Sequence, residues 1–145
     1  MGACQRSYHS AVTEPLTEDE LQFLQAALEL AREGATDRLI ELVAAGLPVN
    51  LSSAAGDTLL ILAAYHVQAD TVRALLAHGA DTARINDKGQ TALGAAVFRQ
   101  SAEIVTALLE AGADPALGAR SALDVAEVFE LPAMTALLTA GPPRS

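Results

Sequence analysis

The chain has 145 residues, with nine Lys and Arg against eighteen Asp and Glu, for a net charge of −9. Nucleic-acid grooves and anionic membrane surfaces are met with clustered cations, so neither partner is expected. Apolar residues make up 51% of the chain but aromatics only 3%, and Trp is absent. That apolar mass is mainly Ala and Leu, strong helix formers, which argues against a β-sandwich or barrel. The single cysteine, Cys4, cannot close an internal disulfide, and no Cys/His zinc spacing is present.

Mean hydropathy is +0.28, yet the longest clean apolar run is Leu59 to Tyr65. A membrane-spanning helix needs about 20 such residues. The stretch Met1-Gly-Ala-Cys-Gln-Arg-Ser7 has no apolar core, and Arg6 stands where a myristoylation pattern needs Ser or Thr. A cytoplasmic protein is expected. Residues 1–15 carry no periodicity and are expected to be flexible.

The first element is signposted by Thr17-Glu-Asp-Glu20, a capping box with Thr17 as N-cap, flanked by Leu16 and Leu21 as a hydrophobic staple. It predicts a helix over about Glu18 to Glu33. Leu39, Leu42 and Val43 then fall at i, i+3 and i+4, one face of a second helix. A turn-rich stretch leads to the Ala/Leu run Leu59 to Tyr65, and Val72, Leu75 and Leu76 repeat the i, i+3, i+4 face. Another turn-rich stretch, Ala80 to Gly89, precedes the run Ala92 to Phe98 and the face of Val105, Leu108 and Leu109. Met134, Leu137 and Leu138 form the last such face. Gly46, Gly79 and Gly112 follow the second helices, where a left-handed cap ends a helix.

These elements recur with a period of 33 residues. Val72 to Asp81 aligns with Val105 to Asp114 at that spacing, as do Gly56 with Gly89 and Thr58 with Thr91. The last unit matches Thr91 with Ser121 at a spacing of 30 and Val105 with Met134 at 29. It is therefore read as missing three residues from its leading loop and one more between its helices. Four helix-turn-helix units follow, at about 18–50, 51–83, 84–116 and 117–141, in a repeat domain over 16–141 with a tail at 142–145. Stacked units of this kind bury a continuous core and make an elongated array.

The unit Asn86 to Asp114, with Asp-x-Gly-x-Thr-x-Leu at Asp87 to Leu93 and Glu103-Ile-Val-x-x-Leu-Leu-x-x-Gly-Ala-Asp114, resembles the ankyrin repeat. The unit Gly56 to Asp81 is similar, and the resemblance covers about Leu21 to Gly141. It implies an all-α solenoid with β-hairpin-like loops, of the small single-domain bacterial type, that binds a partner protein. The chain departs from the pattern in three places. Ile61 and Gly94 stand where the Thr-Pro-Leu-His motif has its histidine, and Ala54 stands where the third unit has Asp87. Val67 occupies the position of the glycine in the turn between the two helices.

Binding is expected through the concave helix face and the loop tips. Tyr65-His66 and Phe98-Arg99 are equivalents 33 residues apart. An aromatic beside a cation or imidazole, repeated on one face, suits an interface anchor. The alternative is that Tyr65 and Phe98 close the core against neighbouring helices. Thr82, Arg84, Lys88 and Gln90 at the loop tips are the next candidates. The acidic balance favours a partner with a basic or mixed surface. Asp37, Asp70 and Glu103 recur in the first turn of second helices and are read as structural, favouring the helix dipole.

His9, His66 and His78 are scattered, so no metal site is expected, and no serine has the setting of a nucleophile. No cofactor and no catalytic activity are expected, and the chain is read as a monomer. Self-association through the concave face is the runner-up, and an enzyme is the least favoured reading.

Overall fold

The computed structural model describes residues 17–140. The segment 1–15, Cys4, His9, Leu16 of the staple, Gly141 and the tail lie outside them. Eight helices follow one another: α1 (Glu18–Glu33), α2 (Thr36–Ala44), α3 (Leu59–Tyr65), α4 (Ala69–Ala77), α5 (Ala92–Phe98), α6 (Ala102–Glu110), α7 (Ala122–Val128) and α8 (Pro132–Ala140). No strand occurs among the described residues; the long loop before α3 closes as a hairpin through a single antiparallel bridge, Ser52 to Thr58.

The helices form two rows. In the inner row α1, α3, α5 and α7 pack side by side; in the outer row α2, α4, α6 and α8 do the same, each leaning on its inner partner. The inner helices α3 and α5 have only seven residues, too few to be helical alone. They hold because neighbours cover them on nearly every side: Leu59 to Ala64 and Ala92 to Val97 are all buried. The alanines Ala63, Ala64, Ala95 and Ala96 let adjacent helices approach closely, and the larger Leu39, Val72, Leu75, Ile104, Val105 and Leu108 fill the space between the rows.

Caps set the boundaries. Thr17 Oγ1 accepts from the Glu20 amide at 3.1 Å while the Glu20 carboxylate accepts from the Thr17 amide at 2.9 Å, the reciprocal box read from the sequence. Thr58, Thr91 and Ser121 cap α3, α5 and α7 through the amides of Ile61, Gly94 and Asp124. With these caps in place no buried side-chain polar atom among the described residues lacks a partner, the positions of the missing motif histidines included. Gly94 has a further reason to be small: a Cβ there would sit 3.3 Å from the Arg120 carbonyl oxygen.

The turn between inner and outer helix takes a left-handed residue in every pair: Gly34 at φ 76°, Val67 at 59°, Gln100 at 59° and Glu130 at 53°. Adjacent hairpins are joined by main-chain bonds, Asp87 N to Ala55 O at 2.9 Å and Arg120 N to Gly89 O at 3.0 Å. Ala54 therefore costs no loop-to-loop link.

The register of the last pair corrects the sequence reading. Glu130 takes the turn position thirty residues after Gln100, and the Leu131 amide bonds the Ala126 carbonyl as Ser101 bonds Ala96. Met134 and Leu138 are buried while Leu137 is half exposed, so they match Ile104 and Leu108 rather than Val105 and Leu109. The last unit lacks three loop residues and nothing between its helices. Pro132 opens α8, a position where its missing N–H is harmless.

Candidate functional site

Tyr65 and Phe98 are the final residues of α3 and α5. Everything before them in those helices is buried, and the chain turns immediately after. Their rings therefore emerge at the edge of the inner row, 41% and 40% exposed. Because the inner helices lie side by side, the two rings meet. They stack with centroids 6.1 Å apart and planes within 6°. Phe129, just past the end of α7, sets its ring edge-on against Phe98 at 5.3 Å. The result is a ladder of three aromatics across three successive units. His66 lies edge-on to Tyr65 at 5.4 Å, and the Arg99 guanidinium sits 5.4 Å from the Tyr65 centroid, within cation–π range.

The ladder forms one side of a groove of about 450 Å³. Ile61, Leu62, Ala95 and Val125 line it from the inner helices, and the hairpins supply Asp57, Asn86, Asp87, Lys88, Gln90 and Arg120. Asn86 organises that wall. Its Nδ2 donates to Asp57 Oδ1 at 2.7 Å and to Gln90 Oε1 at 3.2 Å. Its Oδ1 accepts from the amides of Lys88 and Gln90, both at 2.9 Å. The side chain is 9% exposed, so the network is sheltered from competing water.

Charge is unevenly disposed. Arg32 pairs with Glu29 at 2.7 Å, and Arg84 with Asp81 at 3.2 Å. Arg73 bridges Glu103 of α6 and Asp70 of its own helix, and these hydrogen bonds raise its pKa above the usual arginine value. Among the described residues no ion pair engages Lys88 or Arg120, which line the groove beside the carboxylates Asp57 and Asp87, nor Arg99, which flanks Tyr65, nor Arg38.

The sequence candidates thus divide. Tyr65, Phe98, Lys88 and Gln90 share the groove; His66 and Arg99 flank Tyr65; Arg84 is held by Asp81, and neither it nor half-buried Thr82 lines the groove. Phe129, Arg120, Asn86 and Asp57 were missed. Phe129 had a signal, since it lies thirty residues after Arg99, the spacing that relates Thr91 to Ser121. Asp70 and Glu103 lie in the first turns of α4 and α6, where they also hold Arg73, and Asp37 lies in that of α2. Among the described residues no cluster of His, Cys, Asp or Glu is disposed to hold a metal ion, and no helix is long and apolar enough to cross a membrane.

A two-row helical solenoid with hairpins along one edge and an open groove between them defines a class of repeat scaffold. The chain belongs to the ankyrin repeat family: the family model for ankyrin repeats in three copies matches residues 24–118. An ankyrin repeat protein of Pseudomonas aeruginosa is 50% identical over 52 residues, 36% of this chain and 30% of that protein. The crystal structure of the human ASB11 ankyrin repeat domain matches with a TM-score of 0.70 and 29% identity, over 79% of this chain and 52% of that one. This chain thus spans about half the length of the human domain, and the bacterial match spans under a third of its relative. Ankyrin repeats are in general protein–protein interaction modules and typically non-enzymatic scaffolds.

Proposed function

We propose that this chain is an adaptor or regulator that binds a partner protein in the groove between the aromatic ladder and the hairpins. The single observation that supports this reading is the ladder itself. Three rings from three units are left 40% or more exposed in a chain with only five Phe and Tyr in all. Exposed aromatics on a rigid, concave support lose little entropy on binding and dominate interface energies. In this reading the repeat domain runs over 16–141 and acts as a cytoplasmic monomer. Tyr65, Phe98, Lys88 and Gln90 make contact directly, and His66, Arg99 and Arg84 contribute from the flanks.

The test uses the full chain and a Tyr65→Ala, Phe98→Ala double variant, each checked for helicity and melting temperature. Both are used to capture partners by cross-linking in an extract of the source cells. The reading expects a protein cross-linked by the wild type and lost by the folded double variant. Equal capture by both would overturn it. A cross-linked product made only of this chain, with dimers in light scattering, would instead support self-association.

A further inference from the structure

We propose that residues 1–16 of this chain cover the open end of the array and seat the side chains of Tyr8 and Val12 in an apolar pocket between α1 and α2. The proposal is independent of the groove, which the later units line.

The pocket has a volume of about 610 Å³ and is lined by Phe23, Leu24, Leu42 and Leu47, together with Asp19 and Glu20. Two departures from the repeat produce it. The helix α1 has sixteen residues where α3 and α5 have seven. Gly34 and Val67 keep the 33-residue register at the turns, so the added turns are all at the start of α1. Asp19, Glu20, Phe23 and Leu24 lie in those added turns, and Phe23 is 48% exposed.

The second departure is at Leu42. It is half-buried, whereas its counterparts Leu75 and Leu108 are completely buried with a unit on either side. Among the described residues α2 has an outer-row neighbour only on the following side. Leu138, the counterpart in the last unit, has only the preceding neighbour and is buried all the same. Cover for this position therefore comes from the preceding side, which in the first unit is open.

Residues 1–16 are the part of the chain that approaches from that side. They lead directly into Thr17, the N-cap of α1, and Asp19 and Glu20 on the pocket wall follow within three residues. Val12, five residues before the cap, can lie at most about 17 Å from it, and Tyr8 about 30 Å. The charges of the segment, Arg6 and Glu14, cancel, so it meets no net repulsion from the two carboxylates. It has no repeat pattern and is expected to be flexible alone, but burial of apolar side chains offsets the entropy lost on ordering. An occupant on the same chain is also favoured over a separate molecule, because a short tether gives an effective concentration of about millimolar.

The experiment is hydroxyl-radical footprinting of the full chain and of a Tyr8→Ser, Val12→Ser variant, read by mass spectrometry at Phe23 and Leu42. Both substitutions lie ahead of the Thr17 box, and circular dichroism checks that helicity is kept. The proposal expects Phe23 and Leu42 to be oxidised at least about twofold faster in the variant, as their covering contacts are lost. The melting temperature should fall by about 2–8 °C, and oxidation of Tyr65 and Phe98 in the groove should not change. Equal oxidation of Phe23 and Leu42 in the two proteins would overturn the proposal. A rise at Tyr65 and Phe98 as large as that at Phe23 would also overturn it, as general loosening. So would a wild-type protection that fades on dilution, which would assign the pocket to a second copy of the chain.

Discussion

Gln68 occupies the space that a side chain on Gly34 would need. A Cβ on Gly34 would lie 2.3 Å from Gln68 Oε1, and the Gln68 Nε2 donates to the Arg32 carbonyl at 2.9 Å. One unit thereby caps the C-terminal end of the previous unit's inner helix. Gly34→Ala is expected to cost about 1–2 kcal/mol of left-handed backbone strain plus about 1 kcal/mol for displacing the Gln68 hydrogen bond. In a Gln68→Ala background only the strain remains. A double-mutant cycle in urea should show this coupling, and additive losses would contradict it.

Val67 holds the same turn position in the next unit, at φ 59°, with a β-branched side chain that gains little burial there. Val67→Gly is expected to stabilise the chain by about 1 kcal/mol, since relief of strain exceeds the added freedom of the unfolded chain. The denaturation midpoint should rise and the slope should stay constant. A lower midpoint would mean that Val67 packs more usefully than its exposure indicates.

Much of the fold is legible in the sequence because its determinants are local. The Thr17 box fixes the start of α1, the Thr58 and Thr91 caps start α3 and α5, and the glycines after α2, α4 and α6 have φ between 88° and 122°. The last pair was misread by one residue because leucines stand at both 137 and 138, and only packing against α6 decides which is buried. The groove was half legible. Tyr65 and Phe98 stand out by their spacing, but Asn86 reaches Asp57 across 29 residues and Arg73 reaches Glu103 across 30. Which cations stay unpaired follows from such distant encounters, and no local pattern encodes it.

Leu75 and Leu108 are completely buried between the two rows, with a unit on either side. Truncation to Ala should cost about 2–5 kcal/mol at each. Leu138 is also buried, but α8 has an outer-row neighbour on one side only among the described residues. Its cavity can partly collapse or fill with water, so Leu138→Ala should cost less. Equal losses at the three positions in denaturant melts would contradict a stability built from neighbour contacts.

Asn86→Asp is nearly isosteric and keeps the acceptor for the Lys88 and Gln90 amides, but it removes the donor that faces Asp57 and Gln90. The new carboxyl would lie within hydrogen-bond distance of the Asp57 carboxylate. Two such groups resist ionising together, so the pair would have a folded pKa above the unfolded value of about 3.9. A raised folded pKa gives stability that is present below the unfolded pKa and lost as pH rises through the folded one. Relative to wild type, the variant should therefore be little affected at low pH, where a protonated Asp can still donate to Asp57. It should weaken progressively above about pH 4. The deficit should level off once both groups are charged, at about 2 kcal/mol from the lost hydrogen bonds and the repulsion. Urea melts of both proteins across this range measure the difference directly. A deficit that is the same at every pH would show that position 86 contributes through shape alone and that its contact with Asp57 carries no stability.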